Sequence, residues 1–189
     1  MKETKFREDC MAATLYFTRH GETFWNVENK ICGATDIALT PRGREQADAL
    51  GRKLRQMALP IDLVLASPLS RAAETARILA QAAGLPMQIE PRLTEQNFGV
   101  FEGTPLDGAD FHAAKAHFVN RFGTGESMLM MSARIYPLLD ELRRGDKTCL
   151  LVAHNGIARL VHSYFYDMTN EEFAGFGIGN CELREYHFQ

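Results

Sequence analysis

Runs of strand-forming residues alternate along this chain with helix patterns, and that alternation limits the fold more than any other feature of the sequence. Thr14–Thr18 is a short β-rich run, Ile61–Ala66 is apolar apart from Asp62, and Lys147–Ala153 is a third strong strand. Met87–Glu90 is a shorter strand candidate, and Cys181–Phe188 reads as a last strand that could lie at an edge. Between them lie amphipathic helices. Thr40-Pro41 is a cap followed by a first-turn proline, and Ala47, Leu50, Leu54 and Met57 recur at helical spacing, so Pro41–Met57 is expected to be helical. Ser67-Pro68 repeats the cap-and-proline signal ahead of a helix expected to run to Ala83 and stop at Gly84. Met128, Met131, Ile135, Leu138, Leu139 and Leu142 line one face of a helix ending near Gly145, and His154-Asn155-Gly156 opens another. Arg92–Pro105 reads as a loop and Asp107–Phe122 as a mixed stretch, helical in part. Strands separated by helices of this length imply an α/β three-layer sandwich, a mainly parallel central sheet with helices on both faces.

The 189 residues suit one compact domain that can bury a core without staples. We expect a single domain over 14–189, with a short insertion near 104–125 and a mobile N-terminal segment over 1–13. That segment is charged and has no apolar h-region, so it does not read as a secretory signal. No run approaches the roughly 20 apolar residues of a membrane span. Cys10, Cys32, Cys149 and Cys181 form neither a Cys-x-x-Cys pair nor a zinc-finger spacing, and Cys149 and Cys181 read as buried reduced thiols. A reducing, cytoplasmic location is the expectation. A net charge of −3 argues against a general grip on nucleic acid, though not against a local basic pocket.

In parallel sheets, ligands bind beyond the carboxyl ends of the strands. Here those ends carry the most reactive residues in the chain: Arg19-His20 after the first strand, Ser67 to Arg71 after the second, and His154 after Lys147–Ala153. Fold logic gathers them in one crevice holding two arginines, two histidines and two helix N-termini, all of which favour an anion. Guanidinium forks match phosphate oxygens and stay charged at any working pH. A histidine among fixed cations gives up its proton and presents a free ring nitrogen, a plausible nucleophile toward phosphorus. Glu95, in a glycine- and aromatic-flanked loop, could reach the rim and protonate a leaving oxygen. Taken alone, Arg71 would read as a solvated helix charge and Glu95 as a loop carboxylate in a surface ion pair. Glu22 and Glu102 read as hydrogen-bond acceptors that hold loops. His112, His117, His162 and His187 read as structural or solvated, and His112 and His117 are not on one helix face, so they make no metal pair.

The run Arg19-His20-Gly21-Glu22-Thr23-Phe24-Trp25-Asn26 resembles the signature of the histidine phosphatase superfamily, also called phosphoglycerate mutase-like. Leu39-Thr40-Pro41-Arg42-Gly43, Ser67-Pro68-Leu69-Ser70-Arg71-Ala72, Leu93-Thr94-Glu95 through Phe98-Gly99, and Val152-Ala153-His154-Asn155-Gly156 are similar to its further blocks, in family order. The resemblance implies that His20 is the nucleophile and is transiently phosphorylated. It implies that Arg19 and Arg71 hold the phosphate and that His154 donates to the transferring group. Glu95 would protonate the leaving group and then activate water. Asn26 would contact phosphate or orient the site; Asn155, Cys32 and Gly33 are weaker candidates for substrate contact. No cofactor and no metal is expected, because arginine and imidazole charges cover the phosphoryl oxygens.

Within the family, Asn26-Val27-Glu28-Asn29-Lys30 is similar to the cofactor-dependent phosphoglycerate mutases. Against that, Thr104–Gly125 is short and offers Lys115 and Arg121 without the adjacent arginine pair of the mutases. Gly125-Glu126-Ser127 resembles the phosphatase branch. The expected function is hydrolysis of small phosphomonoesters, with small phosphorylated substrate and inorganic phosphate as the ligands. Phosphoglycerate mutase is the alternative, and a non-catalytic phosphate-ligand or partner-binding module is a third reading. Neither nucleic acid nor membrane is an expected partner, and a homodimer is left open. Phe24, Trp25 and Phe98 could contact a leaving group or support the loops.

Overall fold

The computed structural model describes residues 14–189; the expectation of a mobile 1–13 segment lies outside the described residues. Five strands form one sheet: β1 (Thr14–Arg19), β2 (Leu63–Ala66), β3 (Met87–Ile89), β4 (Cys149–Ala153) and β5 (Leu183–His187). Their order is β3-β2-β4-β1-β5, with β1, β2, β3 and β4 parallel and β5 antiparallel at the edge beside β1. The helices are α1 (Phe24–Val27), α2 (Pro41–Met57), α3 (Ser70–Ala83), α4 (Ala109–Lys115), α5 (Met128–Arg144), α6 (Asn155–Phe165) and α7 (Asn170–Gly175).

The period-two alternation of the strands divides the core in two. Leu15 and Phe17 of β1, Leu63 and Leu65 of β2 and Leu151 of β4 face α5 and α6, where Met131, Ile135, Leu138, Ile157 and Val161 meet them. Tyr16, Val64, Ala66, Leu150 and Val152 point the other way, onto Leu50 and Leu54 of α2 and Ala76 and Leu79 of α3. The sheet is thus buried on both faces, which is the three-layer architecture expected from the alternating pattern. A third, smaller cluster of Ile31, Phe98, Phe111 and Phe122 lies under the loops and braces α4.

α2 occupies the predicted span, with the Thr40 hydroxyl accepting the Gly43 N–H (3.0 Å) and Pro41 in the first turn. α3 departs from expectation at its start. The Ser67-Pro68 signal put the cap two residues early: the N-cap is Leu69, which makes no side-chain cap. Ser67 is instead committed to the candidate site, as described below. The last strand begins at Leu183, not Cys181; Cys181 lies in a turn with φ 56° and is only half-buried, so the expectation of a buried strand thiol fails there. Of the mixed 107–122 stretch, only Ala109–Lys115 is α-helical. Among the described residues no helix is long and apolar enough to cross a membrane.

The chain leaves β1 toward α2 on one face and leaves β4 toward α6 on the other. Adjacent strands whose following helices diverge open a crevice at their carboxyl ends. Arg19 ends β1, the His20 N–H donates to the Ala153 carbonyl at the end of β4 (3.0 Å), and His154 follows.

Candidate active site

The crevice has a volume of about 160 Å³ and is lined by residues that include Arg19, His20, Asn26, Cys32, Glu95 and Asn155. The volume is below the roughly 300 Å³ of pockets for drug-sized ligands, so it suits a small substrate.

His20 is buried, and its Nδ1 lies 2.7 Å from the Gly21 carbonyl oxygen. A carbonyl only accepts, so Nδ1 carries the hydrogen and Nε2 keeps its lone pair. Burial first, then the charges of Arg19 and Arg71, hold the imidazole well below its ordinary pKa, against the opposing pull of the Gly21 carbonyl. The base is therefore neutral at neutral pH. The His20 backbone is fixed from two sides: its carbonyl accepts from Asn180 Nδ2 (2.8 Å), and the Gly21 N–H donates to Thr75 Oγ1 (3.0 Å). Gly21 and Gly43 touch backbone to backbone; a Cβ on Gly21 would stand 2.3 Å from the Gly43 carbonyl oxygen, which ties the His20 turn to the start of α2.

Arg71 is completely buried, the opposite of the solvated charge its helical position suggests by itself. Its Nη1 donates to the Thr35 carbonyl (2.9 Å) and its Nη2 to that of Gly33 (2.6 Å). Two of its five N–H donors are thereby spent on orientation. Arg19 is anchored by Nη1 to the Ile178 carbonyl (3.2 Å). Buried donors are normally paired, yet Arg19 Nε, Arg71 Nε and His154 Nδ1 have no partner among the described residues. The charges of Arg19 and Arg71 act on the His20 ring, and of these three residues Arg19 lines the crevice.

His154 is buried with its ring centroid 5.2 Å from that of His20, and its Nε2 lies 2.8 Å from the Ser67 hydroxyl. Burial, then Arg71, His20, Arg19 and Arg134 depress its pKa well below the ordinary histidine value. Glu95 is buried too: the Gln96 N–H donates to its Oε1 (2.9 Å) and the Gly156 N–H to its Oε2 (2.9 Å). It therefore sits on the first turn of α6 and takes an amide that sequence reasoning reserved for an external anion. The α3 N-terminus is likewise occupied, since the Ser70 N–H donates to Asp36 Oδ1 (2.8 Å). One amide at each of these two helix ends is thus engaged by a protein carboxylate.

The weaker candidates separate. Asn26 and Asn155 line the crevice, but their Oδ1 atoms accept from Thr23 N (3.1 Å) and Ile178 N (3.0 Å), so only their amide nitrogens are available. Cys32 lines the crevice with its thiol pushed up to about 11, chiefly by burial. The Gly33 carbonyl accepts from Arg71 Nη2 (2.6 Å) and so orients that guanidinium. Glu102 accepts the N–H groups of Gly33, Ala34, Thr35 and Phe98, and Glu22 accepts the Thr40 hydroxyl (2.8 Å), so both hold loops. Phe98 lines the crevice from the aromatic cluster, whereas Phe24 is half exposed on α1. Among the described residues no group of three or more His, Cys, Asp or Glu could hold a metal ion.

Sequence reasoning missed Asn180, Ser67 as a histidine partner, and Arg159. Arg159 lines the crevice and is 9% exposed. It stands four residues after Asn155 on α6, so helical spacing could have found it; Asn180 forms an isolated parallel bridge with Arg19, for which the sequence gives no local signal.

A family model described as histidine phosphatase superfamily (branch 1) matches residues 15–189. A protein of Yersinia pestis named probable phosphoglycerate mutase GpmB is 34% identical over 185 residues, 93% of this chain and 85% of the relative. Among solved structures, mycobacterial glucosyl-3-phosphoglycerate phosphatase complexed with VO3 superposes with a TM-score of 0.79 at 28% identity, over 92% of this chain and 90% of that one. Phosphoserine phosphatase from Entamoeba histolytica, in complex with 3-phosphoglyceric acid, gives 0.77 at 28% identity, over 91% and 89%.

Proposed function

The chain belongs to the histidine phosphatase superfamily, and on that footing we propose that it hydrolyses small phosphomonoesters through a phosphoryl group carried on His20 Nε2, without a metal ion. The observation that carries the proposal is the state of His20: buried, neutral, and fixed in the tautomer that leaves Nε2 free. The unpartnered nitrogens of Arg19, Arg71 and His154 would receive the phosphoryl oxygens and stabilise the charge that grows on them during transfer. Nε2 attacks phosphorus as the ester P–O bond breaks, and the Glu95 carboxyl delivers a proton to the leaving oxygen. Alcohol departs. Water then attacks the phosphorus, Glu95 takes its proton, the P–Nε2 bond breaks with the pair returning to nitrogen, and inorganic phosphate leaves. The names of the mycobacterial and Entamoeba neighbours support hydrolysis.

The 34% identical relative named as a mutase favours a second reading, transfer between two positions of one substrate. One experiment separates them: a phosphomonoester panel run with and without 2,3-bisphosphoglycerate, reading both free phosphate and isomerised product. Phosphate release that needs no bisphosphate and is insensitive to chelator supports the phosphatase; bisphosphate-dependent isomerisation supports the mutase. In either case a rapidly quenched sample should carry an acid-labile, alkali-stable phosphoryl adduct that His20→Ala lacks. Substantial turnover by His20→Ala would reject the nucleophile.

A further inference from the structure

Ser67 and His154 follow β2 and β4, neighbouring parallel strands, and their side chains meet at the carboxyl ends. The Ser67 backbone is held there by its N–H, which donates to the Val152 carbonyl (3.0 Å). Both side chains are buried, Ser67 completely. The Ser67-Pro68 pair, which reads in the sequence as a helix cap, has a different use. Proline has no N–H to offer, and the Ser67 oxygen accepts from the next amide, that of Leu69 (3.3 Å). Its one other partner among the described residues is His154 Nε2, at 2.8 Å.

The direction of that second bond follows from the hydrogens available. An amide only donates, so the Leu69 N–H takes a lone pair of the Ser67 oxygen, and the hydroxyl hydrogen still needs an acceptor. Among the described residues His154 Nε2 is the one within reach. If Nε2 carried a hydrogen, the serine would receive two and its own would be stranded in a buried place, an unpaired donor of the kind folded proteins avoid. The same count excludes an imidazolium. Burial, then the charges near the ring, Arg71 first, also hold His154 neutral. A neutral imidazole that accepts at Nε2 carries its hydrogen on Nδ1. Nδ1 is the buried ring nitrogen that has no partner among the described residues.

We propose that Ser67 is a positioning residue that fixes His154 in the Nδ1–H tautomer, so that His154 offers this hydrogen to an oxygen of the phosphoryl group transferred to His20. The role in transfer rests on the phosphohistidine reading above; the tautomer does not. The two rings, with centroids 5.2 Å apart, then share a tautomer and serve opposite purposes. His20 spends its Nδ1–H on the Gly21 carbonyl and keeps a lone pair at Nε2 to attack with; His154 spends its Nε2 lone pair on Ser67 and keeps a hydrogen at Nδ1 to give. In the other tautomer, His154 Nδ1 would present a lone pair where a growing oxyanion needs a donor.

The test reads the tautomer directly. The full chain is labelled with 15N-histidine, and long-range proton–nitrogen correlation spectra are recorded at neutral pH, the His154 signals being those absent from His154→Gln. The wild type should show Nδ1–H and a bare Nε2; an Nε2–H ring or an imidazolium overturns the proposal. Ser67→Ala should shift His154 toward Nε2–H and lower kcat/KM by about tenfold or more. The loss should be equal for p-nitrophenyl phosphate and an alkyl phosphate, because the donor serves the phosphoryl group and not the leaving oxygen. In a His154→Gln background the same substitution should cost less than about twofold, since Ser67 acts through the ring that has been removed. An unchanged tautomer in Ser67→Ala overturns the proposal, and so does an undiminished loss in the His154→Gln background, the mark of a merely structural serine. If Ser67→Ala does not fold, Ser67→Cys, whose thiol is a weak donor, replaces it under the same criteria. If no phosphomonoester is hydrolysed and His20 is never phosphorylated, the phosphohistidine reading falls, and the tautomer assignment stands or falls on the spectra alone.

Discussion

Gly156→Ala tests whether the position of the Glu95 carboxylate, and not its presence alone, sets the rate. A Cβ at Gly156 would lie 2.4 Å from Glu95 Oε1 and 3.1 Å from its carboxyl carbon. The backbone of α6 is held in the helix, so the carboxylate must retreat by about 1 Å to reach ordinary contact at 3.4 Å. In doing so it weakens the 2.9 Å bond from the Gly156 amide. A hydrogen bond to a charged group contributes about 1.5–3 kcal/mol, while alanine in place of glycine inside a helix returns roughly 0.5–1 kcal/mol. The net stability loss should therefore be about 1–2 kcal/mol, small enough to leave a folded enzyme. Activity is more sensitive: a misplacement of about 1 Å can cost on the order of 100-fold, comparable with the lower range for a general acid. We expect kcat/KM for alkyl phosphates, which need a protonated leaving oxygen, to fall about 100-fold. For p-nitrophenyl phosphate, which does not, the fall should be less than tenfold, and Glu95→Gln should show the same pattern. The assay is initial-rate phosphate release for both esters, alongside thermal unfolding of each variant. Equal losses for both esters, or full activity on the alkyl ester, would refute the seating of Glu95 by α6 as the source of its acid function.

Arg71→Lys should lower kcat/KM more than tenfold for alkyl and aryl esters alike and reduce the melting temperature by several degrees. The three donors of an ammonium spring from one nitrogen and cannot reproduce the planar fork whose separate nitrogens span the Thr35 and Gly33 carbonyls; recovery to within twofold of wild type would contradict this. His20 and His154 are both held neutral in the fold, so their folded pKa values lie below the unfolded value of about 6.5. Their contribution to stability is complete above about pH 6.5 and is lost as pH falls below it, by up to about 1.4 kcal/mol per pH unit per group. Urea unfolding from pH 7 to 5 should show that decline, and His20→Asn should make it shallower; an unchanged slope would sink the assignment.

Much of this protein is legible in the order of its residues. The apolar runs and helical spacings specify which segments become strands and helices, because burial periodicity is a local property of the chain. The Thr40-Pro41 cap and the Gly84 stop lie where the structure has them. The rule that ligands gather at strand ends brings Arg19, His20, Arg71 and His154 together from the order of residues alone. What local pattern cannot supply is the partner of each polar group. Asp36 reaches the start of α3 across 34 residues and Glu95 the start of α6 across 61, so an amide at each helix end that looks open to a ligand is already engaged. Arg71 looks like a surface charge on its helix and becomes the largest fully buried side chain. Secondary structure follows from the spacing of apolar residues. The charge and hydrogen-bond state of the crevice follows from which distant groups the packed layers bring within a few ångströms, and only the tertiary structure decides that.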